Sequence, residues 1–457
     1  MNEYTLKGNI MSSSINQDFT PLKLLRFALP SIIMMMFMSL YTIVDGIFIS
    51  RFAGSNALSS LNIVYPVINI VVAIATMLAT GGNAIISRYL GQGKAQTARE
   101  CMTQFVLIGV CVSFIILVIT QIFLTPICNL LGSNEVLLAD CQTYLKIVIL
   151  FAPACMLQSL FQSYLVTAGH PHLGMFLIIG AGIANACLDY VFIAVFHMGI
   201  GGAALATGIG QSIPAIAGLI FFFFNKKELH FTRFHFYPRK IAQACYNGSS
   251  EMIGQLSNAI ITFLFNIIMI QLAGEHGVAA ITILLYGQFL FNAFYMGFSI
   301  GISPIVGFQY GAGNKDQLRK IYKVSTLFVL ISSVVLTITS NLASTPIVSV
   351  FTKEAATYEL AVVGFSIFAY NFLFSGFNIF SSGIFTALSN GKISAIVSFS
   401  RTLVFIVINL MILPRFLGVT GVWIAVPVAE FMTMLLCISM HIRYFLLPGT
   451  KNYLRRN

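Results

Sequence analysis

Twelve long stretches of this 457-residue chain run with almost no charge, and they dictate what it can fold into. They lie at about 24–50, 58–86, 101–125, 142–166, 173–197, 199–224, 245–272, 278–308, 321–345, 359–388, 393–415 and 419–447. A helix needs about 20 mostly apolar residues to cross a hydrocarbon core about 30 Å thick. Inside lipid every backbone polar group must be satisfied, which leaves helices or closed barrels. A barrel would show short segments of alternating polarity. These runs are continuous, so the expected fold is an all-α polytopic membrane protein with twelve transmembrane helices. Composition agrees: 58% of residues are hydrophobic and 9% are charged, against about 25% charged in a soluble domain. A soluble fold would have no surface, and disorder needs few aromatics and much charge. Residues 1–20 are polar, so no cleavable signal peptide is expected.

The net charge of +11 does not point to nucleic acid, because the charges sit in short blocks between the apolar runs. There they set topology. One set of connections holds Arg88, Lys94, Arg99, then Lys226, Lys227, Arg233, Arg239, Lys240, then Lys315, Arg319, Lys320, Lys323, then Lys392. The termini add Lys7, Lys23, Arg26, Arg443, Lys451, Arg455 and Arg456. The opposite loops hold Arg51, Lys353 and Arg415, with Lys146 near an edge. Both termini are therefore expected on the cytoplasmic side of a multi-pass membrane protein. The most charged internal segment, 225–243, reads as a cytoplasmic linker between two six-helix halves, 21–224 and 244–447, with tails at 1–20 and 448–457.

The halves repeat. At an offset of 219 to 220, Gly91-Gln92-Gly93-Lys94 meets Gly311-Ala312-Gly313-Asn314 and Arg99 meets Arg319. Arg51-Phe52-Ala53-Gly54 meets Gln271-Leu272-Ala273-Gly274, and Thr167-Ala168 meets Thr386-Ala387. Gly199, Gly202 and Ala206 meet Gly418, Gly421 and Ala425. An even number of spans per repeat gives both halves the same orientation, as in transporters that rock one bundle against another.

Ionisable groups within hydrocarbon are costly and are functional candidates by default. At about 1.5 Å per residue, Asp45 in span one, Asn185 and Asp189 in span five and Thr207 in span six all fall in the outer half of the first bundle. Asn185 and Asp189, four apart, share a helix face. The repeat offset carries these four positions to Phe265, Val404, Ile408 and Val426, all apolar. A requirement of the fold would tend to appear in both halves, so the pattern points to a function confined to the first. Two carboxylates, an amide and a hydroxyl are hard ligands suited to Na⁺, or to a proton shared between the carboxylates. The competing reading is a set of hydrogen-bonded packing polars.

Tyr41, Met38, Gln158 and Gln162 either line a substrate cavity or pack in the bundle. Pro30 removes a backbone bond from span one and acts either as a hinge or as a static bend. In the second half, Arg401 and Glu430 fall at similar depth and are expected to pair, as a structural ion pair or as a second coupling site. Glu251 lies near the inner end of span seven. The eight cysteines are scattered, with no CxxC and no Cys/His cluster. No Walker A loop, HExxH or GxSxG occurs, so the chain is not expected to be an enzyme, and no cofactor or resident metal is expected.

The stretch Pro30…Val44-Asp45-Gly46…Gly54, with Gly91-Gln92-Gly93, Asn185-x-x-x-Asp189 and Gly202-Ala203-Ala204-Leu205-Ala206-Thr207, resembles the multidrug and toxic compound extrusion (MATE) family, most of all its bacterial MepA-type branch. The likeness covers about residues 20–447. It implies two six-helix lobes forming a V-shaped cleft and an antiporter of the bacterial inner membrane. Such a protein would export amphipathic organic cations in exchange for Na⁺ or H⁺, as a monomer in the lipid bilayer. It implies that Asp45, Asn185, Asp189 and Thr207 match the family's cation site, and Pro30 the proline where span one bends. The chain departs from many members in carrying Ser250 where span seven often begins with Pro, and Asn258 where some place a second-lobe carboxylate. The alternative is a flippase of lipids or lipid-linked oligosaccharides from the same superfamily, which would need a strongly cationic cavity.

Overall fold

A computed structural model describes residues 15, 17–49, 52, 55–226, 229–447 and 453–454. Most of the N-terminal tail, the Arg51–Gly54 stretch apart from Phe52, and Lys7, Lys227, Lys451, Arg455 and Arg456 lie outside the described residues. Among the described residues there is no strand. Ten helices among the described residues are long and apolar enough to cross a membrane. The bent pair Leu138–Leu150 and Ala152–Thr167 adds an eleventh span. The twelfth comes from the 74-residue trace Pro238–Gly311, which contains a left-handed residue, Gly274, at φ 63°. Both ends of that trace reach the same end of spans one and two, so it is a hairpin of spans seven and eight. Glycine adopts this conformation at no steric cost, and here it replaces the loop of several residues that the apolar runs predict. Span seven also starts at Pro238, inside the segment that reads as linker.

The repeat appears in the backbone itself. Ala95–Ile122 and Lys315–Leu342 are both 28 residues long, and each is followed by a short helix, Leu124–Leu130 and Ser344–Phe351. Left-handed residues recur at Gly93 and Gly313, at Gly169 and Ser389, and at Gly199 and Gly418. Span four bends by 51° at Phe151. Pro153 explains the bend: at the start of the second segment it has no N–H to give to the Ile149 carbonyl, and its ring crowds that carbonyl. Span ten is interrupted at the matching place by the 3₁₀ turn Ala369–Asn371.

Three apolar cores set the shape. One draws on both halves: Leu24, Ala28, Ile85, Leu90 and Phe105 pack with Phe298, Val306, Ile321 and Phe385. It lies at the end that carries the basic connections. The other two belong to one half each, one around Ile49, Val64, Tyr144 and Ala203, the other around Phe265, Leu284, Trp423 and Val426. The halves therefore share one core at the basic end, while toward the opposite end each has an apolar core of its own.

Glycines close the joined end. A Cβ on Gly81 would lie 1.9 Å from the Ala244 carbonyl oxygen, and one on Gly248 would lie 1.9 Å from that of Met77. Spans two and seven thus cross backbone to backbone. Asn83 Nδ2 donates to Ser303 Oγ across the same junction at 3.5 Å. Gly248→Ala is expected to wedge this crossing apart at a cost of about 1–3 kcal/mol. The readout is a lowered thermal midpoint of the purified protein and faster labelling of a cysteine placed at Asn83.

Candidate functional site

Packing of spans one, five and six brings the four sequence-selected residues together. Span five lies flush on span one because Gly182 has no side chain; a Cβ there would sit 2.6 Å from Phe37 Cε1. Span six approaches span five at Gly210, whose missing Cβ would lie 3.1 Å from that of Asn185. The ring of Phe151, at the bend of span four, fills the space over Gly208, next to Thr207. The helix Pro171–Asp189 ends at the second carboxylate and passes directly into the π turn Tyr190–Val195. Such widened turns free backbone groups and recur at functional sites.

Tyr41, Gln158, Ile178, Gly182, Asn185, Thr207 and Gln211 are among the residues that border a small empty space. Asp189 is 1% exposed and Asn185 is 4% exposed. Asp45 and Asp189 face each other within hydrogen-bonding reach. As carboxylates they offer each other no donor. Asp45 Oδ1, both Asp189 carboxylate oxygens, Asn185 Nδ2, Thr207 Oγ1 and Gln158 Oε1 are buried without a hydrogen-bond partner. Buried polar atoms are nearly always satisfied, so several unpartnered ones gathered in one place mark a candidate binding site. The donor set fits a hard cation, since carboxylate, hydroxyl and amide oxygens are its ordinary ligands and an amide can turn either end inward. It fits a proton equally, because two buried carboxylates in contact are relieved by one proton between them.

Three tyrosines surround Asp45 electrostatically: Tyr41, Tyr65 and Tyr144. Tyr65 also faces Tyr286 of the second half, whose hydroxyl comes within 3.9 Å of a Cβ built on Gly46. Phenol groups from both halves thus lie near Asp45 and Gly46. Tyr65, Tyr144, Tyr286 and Gln211 are absent from the sequence-based selection. Of these, Gln211 carries a readable signal, one helical turn beyond Thr207. Of the residues selected as possible cavity lining, Tyr41 and Gln158 border the empty space. Gln162 instead points its amide at Met35 Sδ, 3.2 Å away. Met38 gives its carbonyl oxygen to the Thr42 hydroxyl. Pro30 is buried within an unbroken helix, Pro21–Phe48.

The counterparts in the second half are not a site. Phe265 and Val426 are buried in its apolar core, and Ile408 is 43% exposed on the outer face. The charged pair there stands elsewhere. Arg401 lies in the π turn Ser400–Val404 and donates from Nε to Glu430 Oε1 at 2.9 Å and Oε2 at 3.1 Å. Asn378 Nδ2 donates to the same Glu430 Oε2 at 2.7 Å. Glu251 lies near enough to feel the Arg401 charge. Among the described residues no cluster of three or more His, Cys, Asp or Glu is placed to hold a metal ion.

Comparison with known proteins extends these observations over most of the chain. The profile of the MatE family matches residues 30–191 and 252–411, once in each half. The chain is similar to the multidrug export protein MepA of Staphylococcus aureus, 24% identical over 427 residues, covering 89% of this chain and 90% of MepA. Its fold is similar to that in a crystal structure of MATE in complex with MaL6, with TM-score 0.89 and 20% identity, covering 94% of this chain and 97% of the other. It is also similar to the outward-facing conformation of a multidrug resistance MATE family transporter of the MOP superfamily, with TM-score 0.86 and 22% identity, covering 94% and 97%.

Proposed function

This chain belongs to the MatE family, and on that premise we propose that it is a secondary active exporter of amphipathic organic cations, driven by inward flow of Na⁺ or H⁺. The observation that carries the reading is the cluster of unpartnered buried atoms on Asp45, Asn185, Asp189 and Thr207. The protein sits in the bacterial cytoplasmic membrane with its basic end and both termini inside, following the distribution of Lys and Arg. In that orientation the ends where each half has its own core face outward. The coupling cation enters from outside and binds between Asp45 and Asp189, cancelling their mutual repulsion. A cationic drug held among Tyr41, Tyr65 and Tyr286 is then no longer attracted by two free carboxylates, and it leaves. Coupling requires that the two ligands oppose each other thermodynamically. The tyrosine faces suit a flat cation. The lipid-flippase reading draws no support from the cleft, since the deep Arg401 is engaged by Glu430.

Purified protein in proteoliposomes, with a Na⁺ gradient or a pH gradient imposed separately, tests the proposal. One gradient is expected to drive ethidium transport and the other not. Ethidium movement independent of both would overturn coupled export. The rocking of the halves has its own test. Oxidising Asn83→Cys/Ser303→Cys across the junction is expected to stop turnover, and dithiothreitol to restore it. A cross-linked protein that still transports would exclude opening at that end.

A further inference from the structure

The linker between the halves is a pinned strip with an unused outer face. The Phe231 N–H donates to the Phe222 carbonyl oxygen at 3.0 Å, and the Thr232 N–H to Thr103 Oγ1 at 3.1 Å. The Phe231 ring lies 6.3 Å from Phe161 and 6.0 Å from Phe222, and Leu229 is 1% exposed. At the far end the Tyr237 hydroxyl donates to Glu100 Oε2 at 3.0 Å, and Lys240 Nζ caps the Tyr237 ring at 3.7 Å. His235 stacks on Tyr237 near Glu100, whereas the rings of Phe234 and Phe236 lie 6.4 Å apart and are 49% and 63% exposed. Lys226, Arg233 and Arg239 are also exposed, and none takes part in an ion pair among the described residues. The strip continues the surface of span six, which ends in Phe223 and Phe224, 73% and 72% exposed.

We propose that this strip is a docking surface for anionic phospholipid of the cytoplasmic leaflet, with Arg233 and Arg239 holding headgroup phosphate and Phe234 and Phe236 entering the boundary between headgroups and acyl chains. A backbone tied down on one side cannot turn two phenylalanines inward, so their burial must come from outside. Aromatic rings and cations side by side at the end of a span match an interface of apolar chains and negative headgroups. A second copy of the chain fits less well, since a two-fold contact on this face would set its arginines against one another. The proposal rests on the membrane topology proposed above and not on the transported substrate, so it remains testable if no efflux is found.

Phe236→Trp places a fluorophore in the strip; the one native tryptophan, Trp423, is 2% exposed in the opposite half and supplies a constant background. The full-length protein is reconstituted in mixtures of phosphatidylglycerol and phosphatidylcholine in which one lipid or the other carries brominated chains. Bromine on phosphatidylglycerol is expected to quench more, with an apparent preference of about fivefold per arginine. R233Q/R239Q is expected to remove the preference while quenching persists, and F234W to behave as F236W does. Equal quenching by both lipids in the arginine-bearing protein would overturn the proposal. So would a fluorophore quenched by aqueous acrylamide and by neither lipid. One shielded from lipid and acrylamide alike would place a protein surface there instead.

Discussion

Asp45→Asn and Asp189→Asn are each expected to reduce ethidium efflux to the level of cells lacking the protein, with membrane abundance unchanged. Asparagine keeps the shape of the side chain and removes the charge. A coupling site must hold a cation in one state and release it in another, and losing either carboxylate destroys that alternation. Stability is expected to move the other way. Asp189 is buried and Asp45 partly buried beside it, with Asp45 Oδ1 and both Asp189 oxygens lacking a donor, and removing one charge relieves a desolvated repulsion. A raised or unchanged thermal midpoint together with lost efflux therefore separates coupling from packing. Thr207→Ala removes one neutral ligand, worth about 1 kcal/mol, so roughly a fivefold rise in the cation concentration for half-maximal transport is expected. If both asparagine variants pump at the wild-type rate, the assignment of these residues fails.

Much of this was legible in the residues because the lipid solvent leaves few options. Twelve apolar runs give twelve spans, and a backbone that must satisfy itself makes them helices. The four site residues stood out because they are polar where their repeat partners are Phe265, Val404, Ile408 and Val426. The bend at Phe151 did not stand out, since Pro153 sits among several prolines that lie inside continuous helices, such as Pro30 and Pro66. Tyr65, Tyr144 and Tyr286 were hidden for a different reason. Tyrosine is ordinary at a membrane interface and in a core, and only the crossing of helices tells which rings face a carboxylate. Gln162 shows the converse, because spacing puts it on a face with Gln158, but its amide meets Met35 of span one.

The ion pair of the second half supplies the other large effect. Glu430 is 2% exposed at its side chain and Arg401 17%. Breaking a buried pair from one side leaves the remaining charge without compensation and costs about 3–5 kcal/mol. The two sides are not equivalent. Arg401→Met strands Glu430 with Asn378 as its remaining side-chain donor. Glu430→Gln leaves Arg401 with Glu251 nearby and with more access to water. Arg401→Met is therefore expected to lower the thermal midpoint and the membrane abundance sharply, and Glu430→Gln much less. The double variant Arg401→Met/Glu430→Gln buries no charge and is expected to regain most of the lost stability, since replacing a whole buried pair is often neutral. Its transport decides the role of the pair. Efflux close to wild type in the stable double variant means that Arg401 and Glu430 hold the second half together. A stable double variant that cannot pump means that the second half carries a charge the transport cycle needs.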